Sequence, residues 1–246
     1  MPGIDSFTKL MLHMDGADAS TTFTDSASSP KTMTAVGNAQ IDTDQSKFGG
    51  ASGLFDGNGD YITTPSHADF DFGSGDFTID FWVRYNSLSA LIEGYCSKWQ
   101  DALGLGHRGW EFYRLPSGAV NTLNFDYSTN GSTSASIAST ATWVPNLNQW
   151  YHVAVVRSGN NILFFIDGVK LGNSVSMSDT IFAPTAIFTA GNIDVGSGAT
   201  LGINGWMDEL RISNGVARWT ANFTPPVKAY NSNPSDSTIT QVMLIG

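Results

Sequence analysis

A single cysteine, Cys96, in 246 residues excludes any disulfide within the chain; a lone thiol of this kind is most often a small buried hydrophobe. Glutamate is nearly as scarce: Glu93, Glu111 and Glu209 are the only three, too far apart in sequence for one strand to place two of them side by side. The 12 basic residues are scattered singly against 22 acidic ones, a net charge of −10. A phosphate-binding surface needs clustered Lys and Arg, so nucleic acid is excluded as a partner. His13, His67, His107 and His152 form neither H-E-x-x-H nor a cluster with the cysteine, which excludes the usual zinc motifs. No apolar run reaches the ~20 residues of a membrane-spanning helix, and no membrane insertion is expected. Nor does any long stretch carry apolar residues at helical spacing, so very little helix is expected.

What the chain does have is large apolar side chains, turns and alternation. Fifteen Phe and seven Trp supply a core, and 26 Gly supply turns. In 77–84, Phe77, Ile79, Phe81 and Val83 alternate with Thr78, Asp80, Trp82 and Arg84, the pattern of a strand with one face in a core. Asn161 to Ile166, then Asp167-Gly168, then Val169 to Leu171 read as a hairpin, because Asp-Gly suits a two-residue turn with positive φ at both positions. Further strand-like runs occur at 123–127 and 187–195, and short turns fit 66–70 and 215–219. Gly73-Ser74-Gly75, Pro116-Ser117-Gly118, Asn130-Gly131 and Gly196-Ser197-Gly198 punctuate the rest. A chain of this length suits one all-β sandwich.

Five segments carry a more specific signal in their order. Leu10-Met11-Leu12-His13-Met14-Asp15-Gly16 reads as an entry strand and Gly53-Leu54-Phe55-Asp56-Gly57-Asn58-Gly59-Asp60-Tyr61-Ile62 as a first hairpin. Phe77 to Val83 reads as a core strand, and Trp150-Tyr151-His152-Val153-Ala154-Val155-Val156-Arg157 opens the pair that ends at Asp167-Gly168. Asn204-Gly205-Trp206-Met207-Asp208-Glu209-Leu210-Arg211-Ile212, followed by Ala217-Arg218-Trp219, closes the set. Together they resemble the motif series of LamG-like, concanavalin A-like lectin/glucanase domains. The resemblance implies a two-sheet antiparallel jelly-roll sandwich over residues 1–226 whose entry and closing strands are neighbours, with 227–246 left as a linker and C-terminal arm.

The resemblance also implies site chemistry. Related jelly rolls carry a structural calcium ion that ties the terminal strands, which points to Asp15 and Asp208 with the hairpin at Asp56; the same three aspartates also read as turn and strand-end residues. Glucanases of the superfamily use E-x-D-x-E on one strand; this chain lacks it, and no catalytic residue is assigned. Sugar binding calls for aromatic faces flanked by polar groups. The open face of 77–84 offers Asp80, Trp82 and Arg84, and the turn-rich loop beyond Cys96 offers Trp99, His107 and Arg108. Trp99 reads either as a ligand contact or as a ring lying under its own loop.

The first residues, Met1-Pro2-Gly3-Ile4-Asp5, lack the charged start and apolar run of an export signal, whereas this fold works mostly outside cells. A phage protein, folded and assembled in the cytoplasm, reconciles the two. LamG-like domains with this motif set are common in phage structural proteins, which points to a virion surface component, head decoration or tail-associated, that adheres to surface glycans. A secreted bacterial carbohydrate-binding module is the alternative, and a glycoside hydrolase a more distant one. The apolar end of the arm, with Val242, Leu244 and Ile245, is a sticky strand expected to dock on other virion proteins or on copies of the chain.

Overall fold

The computed structural model describes residues 3–117, 120–193 and 201–231. The strands run β1 (Thr8–Leu12), β2 (Thr34–Val36), β3 (Gln40–Asp42), β4 (Ser52–Asp56), β5 (Tyr61–Thr64), β6 (Phe77–Ser87), β7 (Glu93–Trp99) and β8 (Arg108–Ser117). They continue as β9 (Val120–Tyr127), β10 (Ala135–Ala138), β11 (Trp150–Ser158), β12 (Asn161–Ile166), β13 (Val169–Lys170), β14 (Val175–Ser176), β15 (Phe188–Ala190) and β16 (Asn204–Asn214). Two 3-10 turns, Ala68–Phe70 and Asp101–Leu103, are the helical structure among the described residues. The first falls within the turn expected at 66–70.

Two antiparallel sheets result. The nine-stranded sheet runs β13-β12-β11-β6-β16-β4-β3, with β1 also on β16 and β14 on β12; the seven-stranded sheet runs β10-β9-β8-β7-β15-β5-β2. The entry strand pairs with the closing strand, Leu10 opposite Ile212 and Leu12 opposite Leu210. The expected hairpin is present, with Asp167 at φ 49° and Gly168 at φ 75°, the two positive values its turn type requires.

The core lies between the sheets. Phe77, Ile79, Phe81, Val83 and Tyr85 of β6 are fully buried. They meet the other sheet ring to ring: Phe77 on Phe125 at 5.1 Å and Phe81 on Tyr95 at 4.8 Å between centroids. Tyr85 and Tyr95, each buried with a polar tip, share a 2.7 Å hydrogen bond across the sandwich. Cys96 is buried in this core, and burial pushes its thiol up, away from reactivity.

A second, smaller core sits outside the nine-stranded sheet. The segment 215–231 crosses that outer face as a strap, and Trp219 and Phe223 stack at 4.0 Å over His152, Ala154, Val156 and Phe165. Beyond Pro226, where a linker was expected, the chain stays docked. Tyr230 is 6% exposed, its N–H donates to Glu209 Oε2 at 2.7 Å, and Asn231 C=O accepts from Ile4 N–H at 3.1 Å. The sandwich therefore extends past 226, because Tyr230 fills a place in its outer layer. Val242, Leu244 and Ile245 lie outside the described residues.

Candidate functional site

The outer face of the nine-stranded sheet is built on the polar side of β6. Trp82 stands opposite His152 on β11 and Asp208 on β16, while Arg84 stands opposite Trp150 and Trp206. A bulge completes the arrangement. Between the pairs Asp208–Trp82 and Arg211–Asp80, β6 has one residue and β16 has two, and Glu209 takes φ 53° to absorb the extra one. Without the bulge, Asp208 and Arg211 would point to opposite faces; with it both reach the outer one.

One half of this face is a closed ionic network. Asp80 Oδ1 accepts from Arg211 Nε at 3.0 Å; its Oδ2 accepts from the Tyr230 hydroxyl at 2.6 Å and from Arg211 Nη2 at 3.3 Å, and lies 3.4 Å from His152 Nε2. Burial alone would raise the Asp80 carboxyl, but the Arg211 guanidinium and the His152 contact outweigh it and hold it well below the usual carboxylate range. This corrects the expectation for Asp80. Both its oxygens are used inside the fold and the strap covers it, so it has nothing to offer a ligand.

The other half is an open cleft of about 500 Å³, lined by Lys47, Phe48, Trp82, Trp150 and Asp167, and by Thr224, Pro225, Pro226 and Val227 of the strap. The Lys47 ammonium stands 3.8 Å from the centroid of the Trp82 ring, and Phe48 meets the same ring edge-on at 6.0 Å. Trp82 Nε1, Arg84 Nη1, His152 Nδ1 and Asp208 Oδ1 are all buried without a hydrogen-bond partner among the described residues. Buried polar atoms are nearly always paired, and these four belong to adjoining residues of β11, β6 and β16.

Asp208 Oδ2 accepts the backbone N–H groups of Lys47 and Phe48 at 2.7 and 3.0 Å. Burial still pushes its carboxyl up to about 7, with those two bonds pulling the other way. Burial lowers Lys47, and the fields of Asp167 and Asp208 offset part of that.

Of the other expected ligand contacts, Arg84 flanks the cleft, with its Nε on Gln45 Oε1 at 2.9 Å. Trp99, His107 and Arg108 lie elsewhere, at the end of β7 and the start of β8. Trp99 is 3% exposed, its Nε1 donates to Asp101 Oδ1 at 2.9 Å, and Arg108 covers the ring while pairing with Asp101 at 2.5 Å. The ring lies under its own loop and presents no face to a sugar. His107 is 3.3 Å from the Thr185 hydroxyl.

The three aspartates expected around calcium do not share one place. Asp56 stands opposite Asn204, four residues before Asp208 along β16, about 13 Å away at strand spacing; its Oδ1 caps Asn58 N–H at 2.7 Å. Asp15 and Asp208 do adjoin, on either side of the turn at 47–49. Asp15 fills the space at Gly49, where a Cβ would fall 1.8 Å from its Oδ1, and His13 beside it bonds Glu209 at 2.6 Å. Among the described residues no three His, Cys, Asp or Glu side chains converge as a metal-ligand group.

The seven-stranded sheet holds a pairing that sequence spacing concealed. Glu111 on β8 stands directly opposite Asp126 on β9, which places Cβ atoms about 4.5–5.5 Å apart. Burial raises the Asp126 carboxyl, while hydrogen bonds from Ser136 and Tyr113 offset it. Glu111 is also partnered.

Residues 56–220 match the family model described as the concanavalin A-like lectin/glucanases superfamily. The chain belongs to that superfamily. The match takes in Trp82, Trp150, Asp167 and Asp208, whereas Asp15, Lys47, Phe48 and the strap residues 224–227 lie outside it. No curated protein matches the chain. Among solved structures, domain 4 of AbnA, a GH43 extracellular arabinanase from Geobacillus stearothermophilus in complex with arabinotriose, is similar with a TM-score of 0.59 and 19% identity over 88% of this chain and 95% of that one. The binding domain of Paraclostridial Mosquitocidal Protein 1 is similar at 0.58 with 16% identity over 93% of this chain, and the binding domain of Botulinum neurotoxin serotype G at 0.57 with 16% identity over 92%. This chain spans about half of those two toxin chains, 50% and 49%. At such identities the likeness is one of fold.

Sequence reasoning had reached Trp82 and Arg84 through strand alternation. It missed Lys47, Trp150, Asp167 and the strap, which gather only because the strap returns across the sheet. The Asp-Gly turn was the one visible clue, since it places Asp167 at the end of a strand.

Proposed function

We propose that this domain is a non-enzymatic glycan-binding module that holds a saccharide in the Trp82 cleft. The observation that carries the reading is the buried, unpartnered indole N–H of Trp82, in a cleft that also offers the Trp150 ring, an ammonium and a carboxylate. An aromatic surface with a few convergent polar groups is what a pyranose requires. The likeness to an arabinanase domain solved with arabinotriose and to toxin binding domains supports binding. The cross-strand pair Glu111 and Asp126 does not by itself support turnover, since each also makes contacts within the fold and neither lines the Trp82 cleft.

Trp150 is half-buried and supports the wall of the cleft, so it is the residue to change. Trp150→Ala is expected to lose about 1.5 kcal/mol of glycan affinity, roughly ten-fold, while circular dichroism stays that of the parent. Unaltered binding on a glycan array sinks the cleft as the site. Release of reducing sugar that disappears in Glu111→Gln or Asp126→Asn restores the hydrolase reading.

The module is placed at a phage virion surface, as a head decoration or tail-associated protein, with the C-terminal arm as its assembly contact. What supports this placement is the resemblance of the motif set to LamG-like domains found in phage structural proteins. Mass spectrometry of purified particles should find the chain; recovery only from particle-free supernatant would favour the secreted alternative. A structural calcium is assigned to Asp15 and Asp208, whose Oδ1 is buried without a partner. Backbone carbonyls and water would complete the six to eight oxygens that calcium takes. Calcium at a hundred times its Kd then stabilises the fold by about 2.7 kcal/mol. A melting temperature that a chelator leaves unmoved in the parent, or that shifts equally in Asp208→Asn, argues against it.

A further inference from the structure

We propose that the Trp82 cleft selects acidic saccharides, those bearing a carboxylate or sulfate, and that Lys47 is the residue that sets this specificity. The inference rests on the cleft being the glycan site proposed above.

Three other lysines of the chain are committed to partners, unlike Lys47. Lys31 pairs with Asp69 at 2.7 Å, Lys98 pairs with Asp71, and Lys9 bonds the Ser6 carbonyl at 2.8 Å. The Lys47 ammonium makes no ion pair and no hydrogen bond among the described residues; it rests on the Trp82 ring at 3.8 Å. A cation held over an aromatic face is stabilised, but it keeps all three of its N–H donors. Its position has two consequences. A neutral pyranose cannot stack on this face of Trp82 without displacing the ammonium. A sugar carrying an anion can instead use the ammonium as its partner.

The polar atoms around the ammonium are a mixture of donors and acceptors. Trp82 Nε1 and, next along the same face of β6, Arg84 Nη1 are buried donors without acceptors. The carboxylates nearby are partly committed: Asp167 Oδ1 accepts His152 N–H at 2.8 Å, and Asp208 Oδ2 accepts two backbone N–H groups. Asp208 Oδ1 is an unpartnered acceptor on the same face, so what a carboxylate or sulfate answers in particular is the Lys47 ammonium, which makes no ion pair among the described residues. The second oxygen of Asp167 remains for a sugar hydroxyl. The net charge of −10 opposes anions at long range, but beyond about 8–10 Å that field is screened at physiological salt. Direct contact with Lys47 decides the preference.

The test compares three probes of equal length by titration calorimetry: oligogalacturonate, a sulfated galactan oligosaccharide and a neutral galactan oligosaccharide. The parent should prefer one of the acidic probes to the neutral one, and which of the two binds separates carboxylate from sulfate recognition. Lys47→Gln should reduce the ratio of acidic to neutral affinity about ten-fold, and Lys47→Arg should restore it. A parent that binds the neutral probe as tightly as the acidic ones overturns the inference, as does a ratio unchanged in Lys47→Gln. If those results come with neutral binding that Trp150→Ala abolishes, the glycan site stands and only its acidic specificity falls. If no probe on these or a broader array binds, the glycan reading itself fails and takes the inference with it.

Discussion

Arg211→Met is expected to destabilise the fold by roughly 3–5 kcal/mol, because it leaves a buried carboxylate without its counter-charge. Arg211 is 1% exposed, bonds Asp80 through Nε and Nη2, donates to the Tyr230 hydroxyl at 2.9 Å and stacks 3.7 Å from the Tyr230 ring. The methionine fills much of the space, so the loss reports charge more than cavity. The sign of the pH response separates this account from simple loss of packing. In the parent, the Asp80 carboxyl is held below its ordinary range, so its contribution is complete above the unfolded value of about 3.9 and disappears as pH falls through the folded value. In Arg211→Met burial dominates and the carboxyl rises. The variant is then most impaired at neutral pH and recovers part of its deficit as pH approaches the carboxylate range. Urea melts at several pH values measure both slopes. A deficit independent of pH would assign the effect to packing.

The second large effect concerns the end of the strap. A chain ending at Asn231 is expected to melt with the full-length protein, whereas one ending at Pro226 should lose about 3–6 kcal/mol, two hydrogen bonds to buried charged groups. Those bonds are the Tyr230 hydroxyl to Asp80 at 2.6 Å and the Tyr230 N–H to Glu209 at 2.7 Å. Their removal leaves both carboxylates short of a donor inside the protein. Equal melting of the two truncations would mean that residues 227–231 are a linker after all. The chain ending at Asn231 has a second use. If the arm beyond Asn231 mediates assembly, that chain stays folded but no longer associates; association that persists removes the docking role of Val242, Leu244 and Ile245.

The sequence by itself determined the all-β class, the 161–171 hairpin, the pairing of entry and closing strands and the faces of β6. The strand pairing came from the family resemblance; the others follow from interactions a few residues long. Alternation of period two fixes which side chains enter the core, Asp-Gly fixes a turn with positive φ, and the motif order fixes the superfamily. It placed Trp82 and Arg84 on the correct face for the same reason. What it could not see depends on one inserted residue and one returning segment. The bulge at Glu209 changes which face Asp208 and Arg211 share, and strand periodicity read along β16 assigns them to opposite sides. The strap then closes over Asp80 but forms only one wall beside Trp82, so two residues of identical strand parity become, one, the buried centre of an ionic network and, the other, part of the lining of an open cleft. Trp99 shows the converse: the turn-rich sequence left open a ligand contact or a ring under its own loop, and Asp101 and Arg108 of that loop fold back on the ring. Glu111 and Asp126 are distant in sequence and adjacent in the sheet, because cross-strand register is set by the partner strand. Burial, and with it the availability of a side chain to a ligand, is a property of what packs on top, and only the tertiary structure decides that.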